Sequence, residues 1–129
     1  MTGGLVLSGE ARATEALTIP ALRRAIETRD GQGLASFYAD DATLRVIDQD
    51  NPPSHPREVA GRDAIAAYYA DLCGRTMTHR VDAAIALGDR LAFTQTCTYP
   101  EGGRVVCAAM LELSGGRIAR HLAVQAWDP

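Results

Sequence analysis

Three short breaks constrain this chain more than any other feature. Gly88-Asp89, Pro100-Glu101-Gly102-Gly103 and Ser114-Gly115-Gly116 cut residues 78–127 into four apolar-rich runs. Each break carries hairpin-turn chemistry, and each run is long enough for a strand. The spacing predicts strands over about Thr78–Leu87, Arg90–Tyr99, Arg104–Leu113 and Arg117–Trp127. In the third run Val105, Cys107, Ala109 and Leu111 share one face, while Val106, Ala108 and Met110 share the other. One face must pack on helices. The second is apolar too, and the helices are too few to cover it. A homodimer through the outer sheet face is the economical answer.

The helices lie upstream. A helix is expected from near Thr18, with Pro20 tolerated in its first turn and Ile19, Leu22 and Ile26 on one stripe. Arg23, Arg24 and Glu27 are read as facing water, and Gly31 as a left-handed cap. A second short helix is expected over Gly33–Tyr38, directing Leu34, Phe37 and Tyr38 inward, before Asp40-Asp41 turns the chain. Ala42–Asp48 reads as a strand with Leu44, Val46 and Asp48 on one face. The loop from Gln49 to Arg57 holds Pro52, Pro53 and Pro56 and excludes regular structure. A third helix, Arg62–Cys73, aligns Ile65, Tyr68, Tyr69 and Leu72 as a full inward stripe. Residues 1–13 read as a flexible tail, and 14–129 as one domain.

Composition removes several function classes. A net charge of −3 argues against a nucleic-acid partner. The 13 basic residues are all arginine, which excludes Schiff-base chemistry on lysine and the P-loop lysine. No apolar run reaches the length of a membrane span, and no basic lead precedes Leu5-Val6-Leu7, so cytoplasmic residence is expected. Cys73, Cys97 and Cys107 form no CxxC pair and read as reduced structural thiols. No GxSxG elbow and no strand-borne GxGxxG is present, so neither a serine triad nor a dinucleotide cofactor is supported.

Four motifs occur in order: Phe37-Tyr38-Ala39-Asp40-Asp41-Ala42, Val59-Ala60-Gly61-Arg62-Asp63-Ala64-Ile65, Gly88-Asp89-Arg90 and Gly116-Arg117-Ile118. With the order of elements, they resemble the nuclear-transport-factor-2-like superfamily, in particular its SnoaL-like branch. The resemblance implies an α+β fold: a cone-shaped, curved antiparallel sheet wrapped on three N-terminal helices and enclosing a pocket. Members include isomerases, polyketide cyclases, dehydratases, epoxide hydrolases and non-catalytic binders, so fold alone does not give the reaction. Laid over ketosteroid isomerase, the donor tyrosine falls at Leu22, the base at Val46 and the protonated acid near Ala109. All three are apolar. This chain is not that isomerase.

Catalytic candidates are therefore its own. Asp48 lies on the pocket side of the first strand, where apolar neighbours would make it a base. The competing reading is a loop-edge carboxylate that caps the turn holding Asp50. His121, mid-strand among apolar neighbours and in phase with Ala119, Ala123, Gln125 and Trp127, is a second proton carrier. Tyr68 and Tyr69 offer hydroxyls to fix an oxygen, and Tyr38 a third. His79 opens the second predicted strand, Thr78–Leu87, and Gln95 and Trp127 are lining candidates. Leu22, Leu44, Val46, Ile65, Leu72, Cys107, Ala109 and Leu111 complete the expected apolar wall. No HxH or HxxxH spacing supports a metal.

The expectation is a small-molecule pocket with cofactor-free acid–base chemistry: isomerisation, cyclisation or dehydration of a mostly apolar cyclic or polyketide-like compound. A non-catalytic binding protein is the alternative. A dimeric assembly domain with an incidental cavity is the third reading.

Overall fold

The computed structural model describes residues 16–129. The tail expected over residues 1–13 lies outside them. Helix α1 (Ile19–Glu27) starts where expected: Thr18 caps it, its Oγ1 accepting the Ala21 N–H at 3.1 Å, with Pro20 in the first turn. Its stop differs. Arg29, not Gly31, takes the left-handed backbone, at φ 56°, a strained choice for a side chain of that size. The Arg29 guanidinium donates to the Arg75 carbonyl at 2.6 Å, which holds the turn against the far end of α3 (Arg62–Cys73). Gly31 instead opens α2 (Gly31–Ser36), so close to α3 that a Cβ there would lie 3.2 Å from the Tyr69 carbonyl oxygen.

Strand β1 (Tyr38–Ile47) begins inside the expected second helix. Tyr38 is its first residue, and Asp40-Asp41 lie within the strand rather than turning the chain. The pairing of β1 with β6 (Arg117–Trp127) jumps from Tyr38↔Ile118 to Thr43↔Arg120, so residues 39–42 bow out of register. Strand β2 (Arg57–Ala60) is an addition that the sequence did not announce. It is a four-residue edge strand in which only Val59 is buried, too short for periodicity to reveal. Gly61, at φ 92°, then turns the chain into α3, whose bounds are those expected.

The remaining strands are β3 (Thr78–Leu87), β4 (Arg90–Thr98) and β5 (Arg104–Ser114), close to their expected limits. The six strands form one curved, unclosed sheet in the order β2-β1-β6-β5-β4-β3, with the helices covering its inner face. The sheet is antiparallel but for β1–β6, which pair in parallel. That pairing joins the first and last strands, a long-range contact that no local turn signal encodes.

Two bulges set the interior. In β3, Val81 pairs with Gln95 and Ala83 with Thr94, leaving Asp82 as the extra residue. Helix α1 completes this bulge: Arg23 donates to the Val81 carbonyl at 2.8 Å, and Glu27 accepts the Val81 N–H at 3.0 Å. Arg23 and Glu27 keep the water-facing position expected, and they serve as bulge partners as well. In β6, Ile118 pairs with Leu113 and Arg120 with Glu112, leaving Ala119 unpaired. Ile118, fully buried, takes the inward place assigned to Ala119, and His121 resumes the inward phase opposite Leu111.

The outer sheet face is apolar and open. Val106, Met110, Leu122 and Val124 are 48%, 60%, 38% and 44% exposed. Register places Val106–Ala126, Ala108–Val124 and Met110–Leu122 side by side, so these residues form one patch. Among the described residues no helix is long and apolar enough to cross a membrane.

Candidate functional site

The inner face encloses a cavity of about 130 Å³ that opens where β3 and β5 begin and β1, β4 and β6 end. Its deep wall is aliphatic and aromatic: Leu22 and Ile26 from α1, Leu44 from β1, Phe93 from β4, Leu111 from β5 and Ile118 from β6. Most expected lining residues are on this surface, including Tyr38, Val46, Tyr68, Tyr69, Leu72, His79, Gln95, Cys107, His121 and Trp127. Ile65 and Ala109 are not. Ile65 is 0% exposed and Ala109 2%, both packed within the core behind the wall.

One hydrogen-bonded chain crosses the deep wall. Tyr38 Oη lies 2.6 Å from Tyr69 Oη and 2.7 Å from His121 Nδ1. The Tyr38 ring stacks on the imidazole, with centroids 6.1 Å apart and planes 15° from parallel. His121 Nε2 is buried and has no hydrogen-bond partner within the described residues. Removal from water pushes the His121 pKa down to about 4, so the imidazole is neutral at physiological pH. The same burial raises Tyr38, Tyr69 and Tyr68 above the ordinary phenol value. None of the chain carries charge near neutrality.

Proton counting gives two arrangements. In one, Tyr69 donates to Tyr38, Tyr38 to Nδ1, and Nε2–H remains an unused donor. In the other, Nδ1–H donates to Tyr38 and Tyr38 to Tyr69; Nε2 is then a free lone pair and the Tyr69 hydroxyl a free donor. The two differ only by proton positions along a chain of short bonds.

Asp48 sits at the mouth with a structural task. Its Oδ1 accepts from Asp50 N, Asn51 N and Asn51 Nδ2, each at 2.9 Å. This is the turn-capping alternative, with one carboxylate oxygen committed to the loop. Around the same mouth Arg57 lies over the Tyr68 ring, 5.1 Å from its centroid, and Arg75 pairs with Asp71 at 2.8 Å. A second polar cluster lines the wall near β3 and β4. His79 Nδ1 is 3.0 Å from Cys97 Sγ, and Cys97 Sγ is 3.6 Å from Gln95 Oε1. Among the described residues no three His, Cys, Asp or Glu side chains converge in a metal-binding group.

Comparison with known proteins gives the family and the fold. The sequence profile of the SnoaL-like domain matches residues 20–121, most of the chain. The chain belongs to the SnoaL-like domain family. No curated protein matches the sequence of this SnoaL-like domain. Solved structures share its fold. A nuclear-transport-factor-2-like protein of unknown function from Mesorhizobium loti superposes with TM-score 0.71 at 15% identity, over 84% of this chain and 87% of that one. A "putative ketosteroid isomerase" from Kribbella flavida gives 0.67 at 19%, over 85% and 77%. A "putative polyketide cyclase" from Streptomyces antibioticus gives 0.60 at 22%, over 83% and 88%. The SnoaL-like domain thus has the nuclear-transport-factor-2-like fold.

Sequence reasoning found the members of the deep chain but not the chain itself. Tyr38 was assigned to a helix, and its strand position is what lets it bridge Tyr69 and His121. The pairing of His79 with Cys97 was missed as well. A straight hairpin from Gly88-Asp89 would set His79 opposite Thr98; the bulge at Asp82 moves it opposite Cys97.

Proposed function

We propose that this SnoaL-like domain is a cofactor-independent acid–base catalyst acting on a small, mostly apolar cyclic or polyketide-like compound. The observation that carries the reading is the neutral His121 imidazole, buried in an apolar cavity and joined through Nδ1 to Tyr38 and Tyr69. A cavity near 130 Å³ suits a single ring or a short chain, with any longer part left in the mouth.

The chain supplies a base and an acid together. His121 Nε2 takes a proton from carbon next to a carbonyl as Nδ1 passes its own proton to Tyr38. Tyr38 passes one to Tyr69, and the Tyr69 hydroxyl protonates the substrate at its oxygen or a second carbon. Every group ends neutral, which suits residues whose burial opposes charge. The same two ends serve isomerisation, aldol-type cyclisation or loss of water. Tyr68 fixes an oxygen nearer the mouth, and Asp48 stays at the rim, holding the loop. Because Nε2 is covered in this conformation, ligand entry must part the side chains over it.

That covering, with the largely aliphatic wall, favours a second reading: a binding protein that holds its ligand unchanged. One experiment separates the two. Small cyclic ketones and polyketide-like acids are screened by thermal shift, and binders are incubated in heavy water. The catalytic reading expects His121-dependent deuterium uptake next to the carbonyl, or conversion. Binders that take up no deuterium leave the protein a receptor.

We further propose a homodimer through the outer sheet face. The exposed Val106, Met110, Leu122 and Val124 support it, since a second copy would present the same apolar patch.

A further inference from the structure

The second polar cluster is unrelated to the His121 chain and has its own chemistry. Cys97 and His79 stand opposite each other on β4 and β3, both on the cavity surface, with Sγ and Nδ1 3.0 Å apart. Gln95 adds a carbonyl oxygen 3.6 Å from the same sulfur. His79 Nε2 is buried and unpartnered within the described residues. With the thiol donating to Nδ1, Nε2 bears the hydrogen and is a donor not used by the protein.

We propose that Cys97 and His79 form a thiol–imidazole pair that adds covalently to electron-poor alkenes, such as α,β-unsaturated carbonyl compounds, entering the cavity. The Sγ–carbon bond forms as the alkene π bond breaks. The thiol proton moves to His79 Nδ1 and then to the carbon next to the carbonyl. The products are a thioether and a neutral imidazole, and no other reactant is consumed.

The pair works without preformed charge. Burial holds the Cys97 thiol up at about 11, with Asp82 adding to the rise. Burial, then Arg29, lowers His79. The titratable groups around the pair are thus Asp82 on β3, Cys107 on β5 and Arg29 from the turn after α1. None places a cation beside the sulfur to create a thiolate at rest, so the base must act during attack.

Two other cysteines provide internal controls. Cys73 is only partly buried, and Cys107 is buried with no histidine bonded to its sulfur. N-Ethylmaleimide, used below stoichiometry on the full chain, is followed by intact mass and peptide mapping. Cys97 is expected to react first although Cys73 is more exposed. Its rate should stay nearly flat between about pH 7 and 9, whereas a simple thiolate route rises about tenfold per pH unit. His79→Gln should slow Cys97 about a hundredfold at neutral pH and restore the tenfold slope, leaving Cys73 unchanged. Labelling that follows exposure, Cys73 ahead of Cys97, overturns the proposal, and so does a tenfold-per-unit slope at Cys97 in the unmodified protein. The wild-type pH profile needs no variant, so a misfolded His79→Gln leaves the test intact.

Discussion

The cavity holds two histidines built to one plan and tuned apart. Each places Nδ1 against a weak acid, a tyrosine hydroxyl for His121 and a thiol for His79, and each leaves Nε2 buried and unpartnered among the described residues. Each is also delivered by a β-bulge, Ala119 before His121 and Asp82 after His79. They differ in depth. His121 is enclosed and held down to about 4, whereas His79, nearer the mouth, is lowered less. The difference teaches that the partner decides the chemistry and burial decides the charge. A tyrosine chain can relay a proton, while a thiol can form a bond to carbon.

Removing the deep imidazole should have the largest effect. With a substrate identified, His121→Gln is expected to lower turnover by about 10²–10⁴-fold while ligand binding survives. His79→Gln should leave that turnover nearly intact. Equal losses in the two variants would erase the distinction between the histidines.

The depth difference also predicts a pH dependence of stability. Folded His121 stays neutral down to about pH 4, but in the unfolded chain it titrates near 6.5. Between those values the unfolded state binds more protons, so this contribution is intact above about pH 6.5 and is lost as pH falls toward 4. The loss is about 3 kcal/mol. Denaturant midpoints measured across that window should fall, and His121→Leu should flatten the trend. His79→Leu should flatten it less.

Cutting the chain at its centre comes next. Tyr38→Phe keeps the ring but strips the partner from His121 Nδ1 and from Tyr69, leaving buried polar groups unbonded. Unfolding experiments should register about 1–3 kcal/mol. Cys97→Ser should cost less than Tyr38→Phe, because the serine hydroxyl can still donate to His79 Nδ1.

How much of this was legible beforehand follows from the same bulges. The hairpin turns, the third helix and the inward stripe of Tyr68, Tyr69 and Leu72 follow from local chemistry, and the structure has them. Strand β2, the parallel β1–β6 pairing and the strand start at Tyr38 depend on distant partners. Asp82 and Ala119 carry no bulge signature of their own. Arg23 and Glu27 on α1 satisfy the first bulge from across the fold, a relation that periodicity does not encode. An uninterrupted β5–β6 hairpin from Ser114↔Arg117 would have put Arg120, not His121, opposite Leu111. The candidate residues could therefore be named one by one, but their partnerships could not.

The smallest effect on folding is expected on the outer face. Met110→Glu, at a side chain 60% exposed, should change monomer stability by about 0.5 kcal/mol or less. Sedimentation should nevertheless show the proposed dimer lost. A wild-type protein that stays monomeric at high concentration contradicts that proposal without touching the two histidines.

The proposed relay needs a neutral, tyrosine-bonded imidazole in the cavity, and ring-nitrogen NMR of the wild-type protein across pH tests it most directly. His121 should remain a neutral imidazole until about pH 4, with Nδ1 hydrogen-bonded, while His79, lowered by burial and then by Arg29, should titrate below the ordinary histidine value. A His121 that titrates at or above 6.5 would mean an imidazolium in open water, and the relay through Tyr38 and Tyr69 would have no basis.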